Sequence, residues 1–222
     1  MLFISKKLTY SPLVGLLNEH GIDYIDESFI TFRNHPFSCP RENSYDVIFF
    51  SSPRAVDFYL AQCKVPKDKL IACIGGITSE HLSKNGLNID FKGIKSGDPA
   101  NVAEDFAKFA KEQTVLFPQS TQSHRSMQNA LRTEQVIDLV VYETIPKPIR
   151  LQKQPSIVVF TSPSNVDAYL SKNTISGNEV VIAWGKTTEA FLKTQRVSVD
   201  HTLEVASFKS LTAFLKKHLN NR

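Results

Sequence analysis

Residues 49–60 read FFSSPRAVDFYL, and residues 159–170 read VFTSPSNVDAYL. The pairing does not stop there. Residues 50–82 and 160–192 align without a gap at an offset of 110 and share ten identities in 33 positions: Phe50/Phe160, Ser52/Ser162, Pro53/Pro163, Val56/Val166, Asp57/Asp167, Tyr59/Tyr169, Leu60/Leu170, Gly75/Gly185, Thr78/Thr188 and Leu82/Leu192. Ordinary residue frequencies would give about two. The chain is an internal duplication. Weaker matches extend it: Leu2-Phe3 with Leu116-Phe117, Ile22-Asp23 with Ile137-Asp138, and Asp98-Pro99 with Ser207 ahead of a late helix.

Each copy places a short apolar run such as Val47–Phe50 or Ile157–Phe160 ahead of Ser-Pro and an amphipathic stretch. Serine at an N-cap followed by proline at the first helical position marks a helix start. Each half is expected to run strand, helix, strand, connector, strand, helix, strand, helix, strand, helix. Apolar strands alternating with helices point to an α/β fold of parallel sheets flanked by helices.

Proline placement suggests how the domains divide. Residues 31–44 (TFRNHPFSCPRENS) and 145–154 (IPKPIRLQKQ) are polar and carry two prolines each. They read as linkers. Both interrupt a half, so the expected organisation is two similar domains, the first discontinuous (1–30 plus 155–222) and the second continuous (45–144), joined by a two-stranded hinge.

The 222 residues carry a net charge of +4, and the whole excess lies in residues 112–222. That favours an anionic partner. No basic cluster interleaved with aromatics appears, so nucleic acid is not expected as a partner. No apolar run approaches the roughly 20 residues of a membrane helix, and no membrane partner is expected. MLFISKKL puts its lysines after its apolar residues, unlike a secretory signal. The three cysteines (Cys39, Cys63, Cys73) are odd in number and irregularly spaced, so neither a disulfide framework nor a zinc site is expected, and the location reads as cytoplasmic.

The repeated turns carry the candidate chemistry. Ser51-Ser52-Pro53 and Thr161-Ser162-Pro163-Ser164-Asn165 lie where strands end and helices begin, as do Gly75-Gly76-Ile77-Thr78 and Gly185-Lys186-Thr187-Thr188. Helix starts at the carboxyl ends of parallel strands leave unpaired N–H groups, which favour anions. The glycines are read as allowing sharp turns and close ligand approach, and Thr78 and Thr188 as helix caps. Neither nucleotide-binding glycine pattern is present. The predicted crevice is donor-rich and poor in carboxylate pairs, suited to a polyacid without a bound metal. Catalytic equipment is sparse: six histidines share no ligand spacing, no GxSxG occurs, and Tyr142 in VVYET is the one suggestive proton donor.

Taken together, the two FFSSPRAVDFYL-like stretches, IACIGGITSEHL with VIAWGKTTEAFL, LFPQS and VVYETIPKP resemble the uroporphyrinogen-III synthase family over nearly the whole chain. The resemblance implies a cyclising hydro-lyase with two α/β domains. Its substrate is the linear tetrapyrrole hydroxymethylbilane, which carries eight carboxylates, and ring D is inverted with loss of water. It implies no metal or organic cofactor, and a monomer. By position it implies substrate contacts at Ser51, Ser52, Gly75, Thr78, Ser162, Ser164, Asn165, Gly185, Lys186, Thr187 and Thr188, with Tyr142 as the acid. Two departures stand out: Ile4-Ser5-Lys6 where many members have a Thr-Arg-Pro-like turn, and Lys186 where proline is common. The competing reading is a non-catalytic two-domain protein that binds or senses a polycarboxylate metabolite.

Overall fold

The computed structural model describes residues 1–94 and 99–220; Asp98, matched above to Ser207, lies outside them. In chain order the elements are β1 (Leu2–Ile4), α1 (Ser11–Glu19), β2 (Tyr24–Ile25), β3 (Ile30–Asn34), β4 (Val47–Phe50), α2 (Pro53–Leu60), β5 (Leu70–Cys73), α3 (Gly76–Lys84), β6 (Phe91–Lys92), α4 (Pro99–Ala110), β7 (Val115–Ser120), β8 (Val136–Pro146), β9 (Ile157–Phe160), α5 (Pro163–Leu170), β10 (Val180–Ala183), α6 (Lys186–Thr194), β11 (His201–Thr202) and α7 (Phe208–Asn220). The bounds of β4, α2, β5, α3 and β6 recur in β9, α5, β10, α6 and β11 at the offset of 110.

The chain divides into two compact units, one formed by Met1–Thr31 with Ile145–Arg222 and the other by Phe32–Thr144. It passes between them twice, once within β3 and once within β8. In the first unit a five-stranded sheet has the order β11-β10-β9-β1-β2, with every pair parallel. Its central strands are buried on both faces. Leu2, Ile4, Ile157 and Val159 face a core closed by Leu13, Leu17, Leu211 and Leu215 of α1 and α7. Phe3, Val158, Phe160 and Val181 face one closed by Val166, Tyr169 and Leu192 of α5 and α6. Helices on both faces explain why these strands read as unbroken apolar runs rather than alternating ones.

The second unit carries the sheet β3-β8-β7-β4-β5-β6. Parallel pairing is seen for β4 with β5 and β7, β5 with β6, and β7 with β8. Val56, Tyr59 and Leu82 of α2 and α3 cover one face, and Val102 and Phe106 of α4 the other.

Two features differ from the expectations above. The helix expected after β7 is replaced by 3-10 turns at Gln128–Ala130 and Thr133–Gln135. Residues 121–135 (TQSHRSMQNALRTEQ) lack the apolar spacing that buries Leu13, Leu16 and Leu17 in α1, so no continuous helical face can dock. Cys39 and Cys63, which are not expected to pair, form a disulfide with Cα atoms 5.7 Å apart. Irregular spacing misleads here because the connector after β3 returns beside the end of α2. Cys73 stays a free thiol, and burial pushes its pKa up.

The duplication reaches further than the identities suggest. Both α3 and α6 end in the same carbonyl-satisfying turn. Gly86 N–H donates to Ser83 O and Leu87 N–H to Leu82 O; Arg196 N–H donates to Lys193 O and Val197 N–H to Leu192 O. The turn needs a left-handed residue. Gly86 supplies it at φ 75°, whereas Arg196 adopts it at φ 58°. Asp90 and Asp200 each accept the N–H of a neighbouring strand residue, Ile71 and Val181, at 2.8 Å.

Glu179, at the start of the turn into β10, is a buried carboxylate. Burial alone would raise its pKa, but hydrogen bonds from Gln154, from the backbone and hydroxyl of Ser176 and from its own backbone outweigh that, and the net shift is downward. A depressed carboxylate contributes stability above its unfolded pKa and loses it as pH falls through the folded one. The wild-type melting temperature is therefore expected to drop on going from neutral pH to pH 4 by more than that of Glu179→Gln, as read by thermal denaturation at both pH values.

Candidate active site

In the second unit the chain leaves β4 through α2 toward β5 on one side and leaves β7 toward β8 on the other. Between their carboxyl ends lies the switch point where open α/β sheets bind ligands. A cavity of about 260 Å³ opens there, lined by Ser51, Ser52, Phe117, Gln119, Gln128 and Tyr142 among others. Tyr142 reaches it from β8 and is only 8% exposed. Its ring stacks on Phe58 at 5.2 Å and meets Phe32 edge-on at 5.9 Å. These two contacts fix the ring and so fix where its hydroxyl sits. Ser52 caps α2, accepting from Ala55 N–H at 3.2 Å, and Ser51 beside it is exposed.

Three of the expected residues, Ser51, Ser52 and Tyr142, thus share one cavity. Gly75 and Thr78 lie at the start of α3, outside that lining. Gly75 is itself the N-cap, with φ 172°. That backbone is extended and open to any residue, so the turn does not demand glycine. Thr78 is the third residue of the helix and buried, so it is not the cap the sequence suggested.

The first unit repeats this arrangement with differences. Ser162 caps α5 and accepts from both the backbone N–H of Asn165 at 3.3 Å and its side-chain amide at 3.0 Å. Asn165 is 3% exposed. Its Oδ1 accepts from Phe29 N–H at 2.8 Å and from the Ser28 hydroxyl at 3.3 Å. This side chain is committed to holding the Ser28–Ile30 turn, and Ser164 next to it is half-buried. Gly185 (φ 178°) caps α6 as Gly75 caps α3, with open space where a Cβ would stand. Lys186 and Thr187 are exposed in the first turn, and Thr188 is buried at the third position. At the end of β1, Ser5 is buried and bonded to Thr161 through both hydroxyls at 3.0 Å, and its Oγ accepts the Thr161 N–H at 2.9 Å.

Sequence reasoning missed Arg54. Its guanidinium carbon lies 3.5 Å from the centre of the Phe32 ring, stacked as arginine does on aromatic faces. Burial lowers its pKa, opposed by the charges of Tyr142 and Asp57. Arg54 stands where the other copy has Ser164, and that departure within a repeat was the available signal. Also missed was a polar network walling the same cavity. The Gln128 amide donates to Gln119 at 2.7 Å and to Asp138 at 3.2 Å, and Arg125 pairs with Asp138. Among the described residues no group of three or more His, Cys, Asp or Glu converges as a metal site, and no helix is long and apolar enough to cross a membrane.

Comparison with known proteins follows the same lines. A family profile described as uroporphyrinogen-III synthase HemD matches residues 11–213. A search of curated proteins returned no significant match. Among solved structures, the chain is similar to uroporphyrinogen-III synthetase from Helicobacter pylori, with 18% identity, a TM-score of 0.70, and coverage of 100% of this chain and 99% of that one. A mutant uroporphyrinogen III synthase from the extremely thermophilic bacterium Thermus thermophilus gives 12% identity and a TM-score of 0.67, covering 100% and 99%. The wild-type Thermus protein in another crystal form gives 14% and 0.51, covering 99% and 98%. These likenesses are of fold.

Proposed function

The chain belongs to the uroporphyrinogen-III synthase family, and on that premise we propose that it closes hydroxymethylbilane to uroporphyrinogen III, a cyclising lyase step of heme biosynthesis. The observation that carries the reading at the level of residues is that Tyr142, Ser51 and Ser52 line one cavity at the carboxyl edge of the second unit's sheet. The substrate's hydroxymethyl C–O bond breaks with the pyrrole nitrogen supplying electrons. The departing oxygen takes a proton from the Tyr142 hydroxyl and leaves as water. The last ring then bonds through its substituted carbon, giving a spiro centre that opens and recloses with ring D inverted. The proton lost as the ring regains aromaticity restores the phenol.

Carboxylate binding is assigned to donors at the helix starts of each unit: Ser51, Ser52, Gly75 and Thr78 in one, Ser162, Ser164, Gly185, Lys186, Thr187 and Thr188 in the other. Asn165 acts there by fixing Ser162 rather than by touching substrate. Backbone N–H groups held in place suit a reaction whose difficulty is geometric. The same reading expects a monomer, active in the cytoplasm without added cofactor. The test is to supply hydroxymethylbilane and resolve the two uroporphyrinogen isomers. Excess type III is expected. Type I alone, which forms without enzyme, would make the chain a binding protein instead.

A further inference from the structure

A second cavity, of about 300 Å³, lies wholly in the first unit and is lined by Arg150, Gln152, Lys153, Tyr169, Lys172 and Asn173 among others. It sits where the chain enters β9 and where α5 ends, at the amino edge of the sheet. The candidate substrate-binding turns after β9 and β10 are at the opposite edge. Nothing in the proposed synthase chemistry uses it.

The walls are fixed. Asn173 Oδ1 accepts from Leu151 N–H at 2.8 Å, and its amide donates to Ile149 O at 2.8 Å and Tyr169 O at 3.1 Å. Gln154 donates to Thr174 O at 3.3 Å and to Glu179. The strap carrying Arg150, Gln152 and Lys153 is therefore pinned at both ends against the turn that carries Lys172. Among the described residues, Arg150, Lys153 and Lys172 have no ion-pair partner. The nearby carboxylate, Glu179, is taken up by Ser176, Gly177 and Gln154. Tyr169 is 1% exposed. Burial, then Glu179, pushes its pKa up to about 12, which keeps it a neutral O–H donor.

The duplication supplies an internal control. At the matching corner of the second unit, Tyr59 replaces Tyr169 and Cys63 replaces Asn173. That corner is closed: Phe37 stacks on Tyr59 at 6.4 Å, Tyr45 and Tyr59 share a hydroxyl contact at 3.4 Å, and the Cys39–Cys63 disulfide seals the strap. In the first unit Pro155 stands in place of Tyr45. The space is left open, and cations rim it. One copy of the corner is core, while its twin is a pocket.

We propose that this pocket binds a small polyanion carrying two or three oxyanion groups, of the diphosphate or tricarboxylate class. Its volume is at the low end for a small-molecule site. Arg150 offers a planar fork for an oxyanion, the lysines add point charges, and the Tyr169 hydroxyl offers one neutral donor.

The test is isothermal titration of the full chain with pyrophosphate and, separately, citrate, at constant ionic strength. One saturable site is expected. Arg150→Gln with Lys172→Gln should weaken it by about tenfold or more, and Tyr169→Phe should weaken it to a smaller extent. Lys209→Gln with Lys216→Gln, an equal charge change on α7, should leave it unaltered. A preference for either probe supports the proposal and names the ligand class. No saturable binding, or an equal loss in both double variants, overturns it, the second outcome reporting net charge alone. The result is independent of whether type III isomer is formed.

Discussion

Tyr142→Phe is expected to lower kcat for type III formation by about a hundredfold, at the lower end of the range for losing a positioned proton donor. The exchange removes one oxygen and leaves the ring. Its stack on Phe58 and edge contact with Phe32 persist, so the melting temperature should stay near that of the wild type. A hundredfold corresponds to about 2.7 kcal/mol of transition-state stabilisation. The loss is incomplete because the pyrrole nitrogen drives departure of the hydroxyl and the backbone donors still position the chain. Arg54→Met should show a smaller fall. It keeps an unbranched side chain over Phe32 but removes the cation whose field reaches Tyr142. Full activity in Tyr142→Phe, measured as isomer ratio and rate, would remove the tyrosine from the mechanism and leave the acid unassigned.

How far the sequence discloses this molecule depends on how local the physics is. VIFF, LIAC, IVVF and VVIA are legible as strands because parallel strands covered on both faces have no polar side to interrupt them. Ser52-Pro53 and Ser162-Pro163 are legible as helix starts because cap and helix are three residues apart. What escapes depends on partners far along the chain. Asn165 reads as a ligand contact until Phe29, 136 residues away, is seen donating to it. Cys39 and Cys63 pair across 24 residues of unremarkable spacing. Asp90 and Asp200 are identical and equivalently bonded, yet sit past the stretch where identities cluster. In the site, Ser51, Ser52 and Tyr142, far apart in the chain, line one cavity. The departure of Arg54 from Ser164 is legible in the repeat, but its stacking is seen only once Phe32 is found beneath it, and the Gln119–Gln128–Asp138 wall only once the helix expected there is absent. Gly75 and Gly185 show the reverse failure, a residue type read as a conformational need that an extended backbone does not impose.

Asn165→Ala is expected to destabilise the protein by about 2–3 kcal/mol, because it strands a buried donor rather than merely deleting a contact. The comparison residue is already present: the other copy has Ala55, fully buried. Size is therefore not the difficulty. At 165 the side chain takes the N–H of Phe29, a residue with no exposure, and steadies Ser162 through its amide. Removing it leaves Phe29 N–H without water or protein to bond. Asn165→Asp should cost less. A carboxylate oxygen can still accept from Phe29, the Ser162 hydroxyl can turn to donate, and the negative charge sits in the first turn of α5 where the helix field favours it. Urea denaturation should show the alanine variant with a lower midpoint and an unchanged slope, the sign of lost stability without an altered unfolded state. Steady-state assays below that midpoint separate the two readings of this residue. A positioning role leaves KM nearly unaltered in Asn165→Asp and tracks the folded fraction in Asn165→Ala. A direct grip on a substrate carboxylate would raise KM in both, most in Asn165→Asp through like-charge repulsion, with little change in the urea midpoint of either.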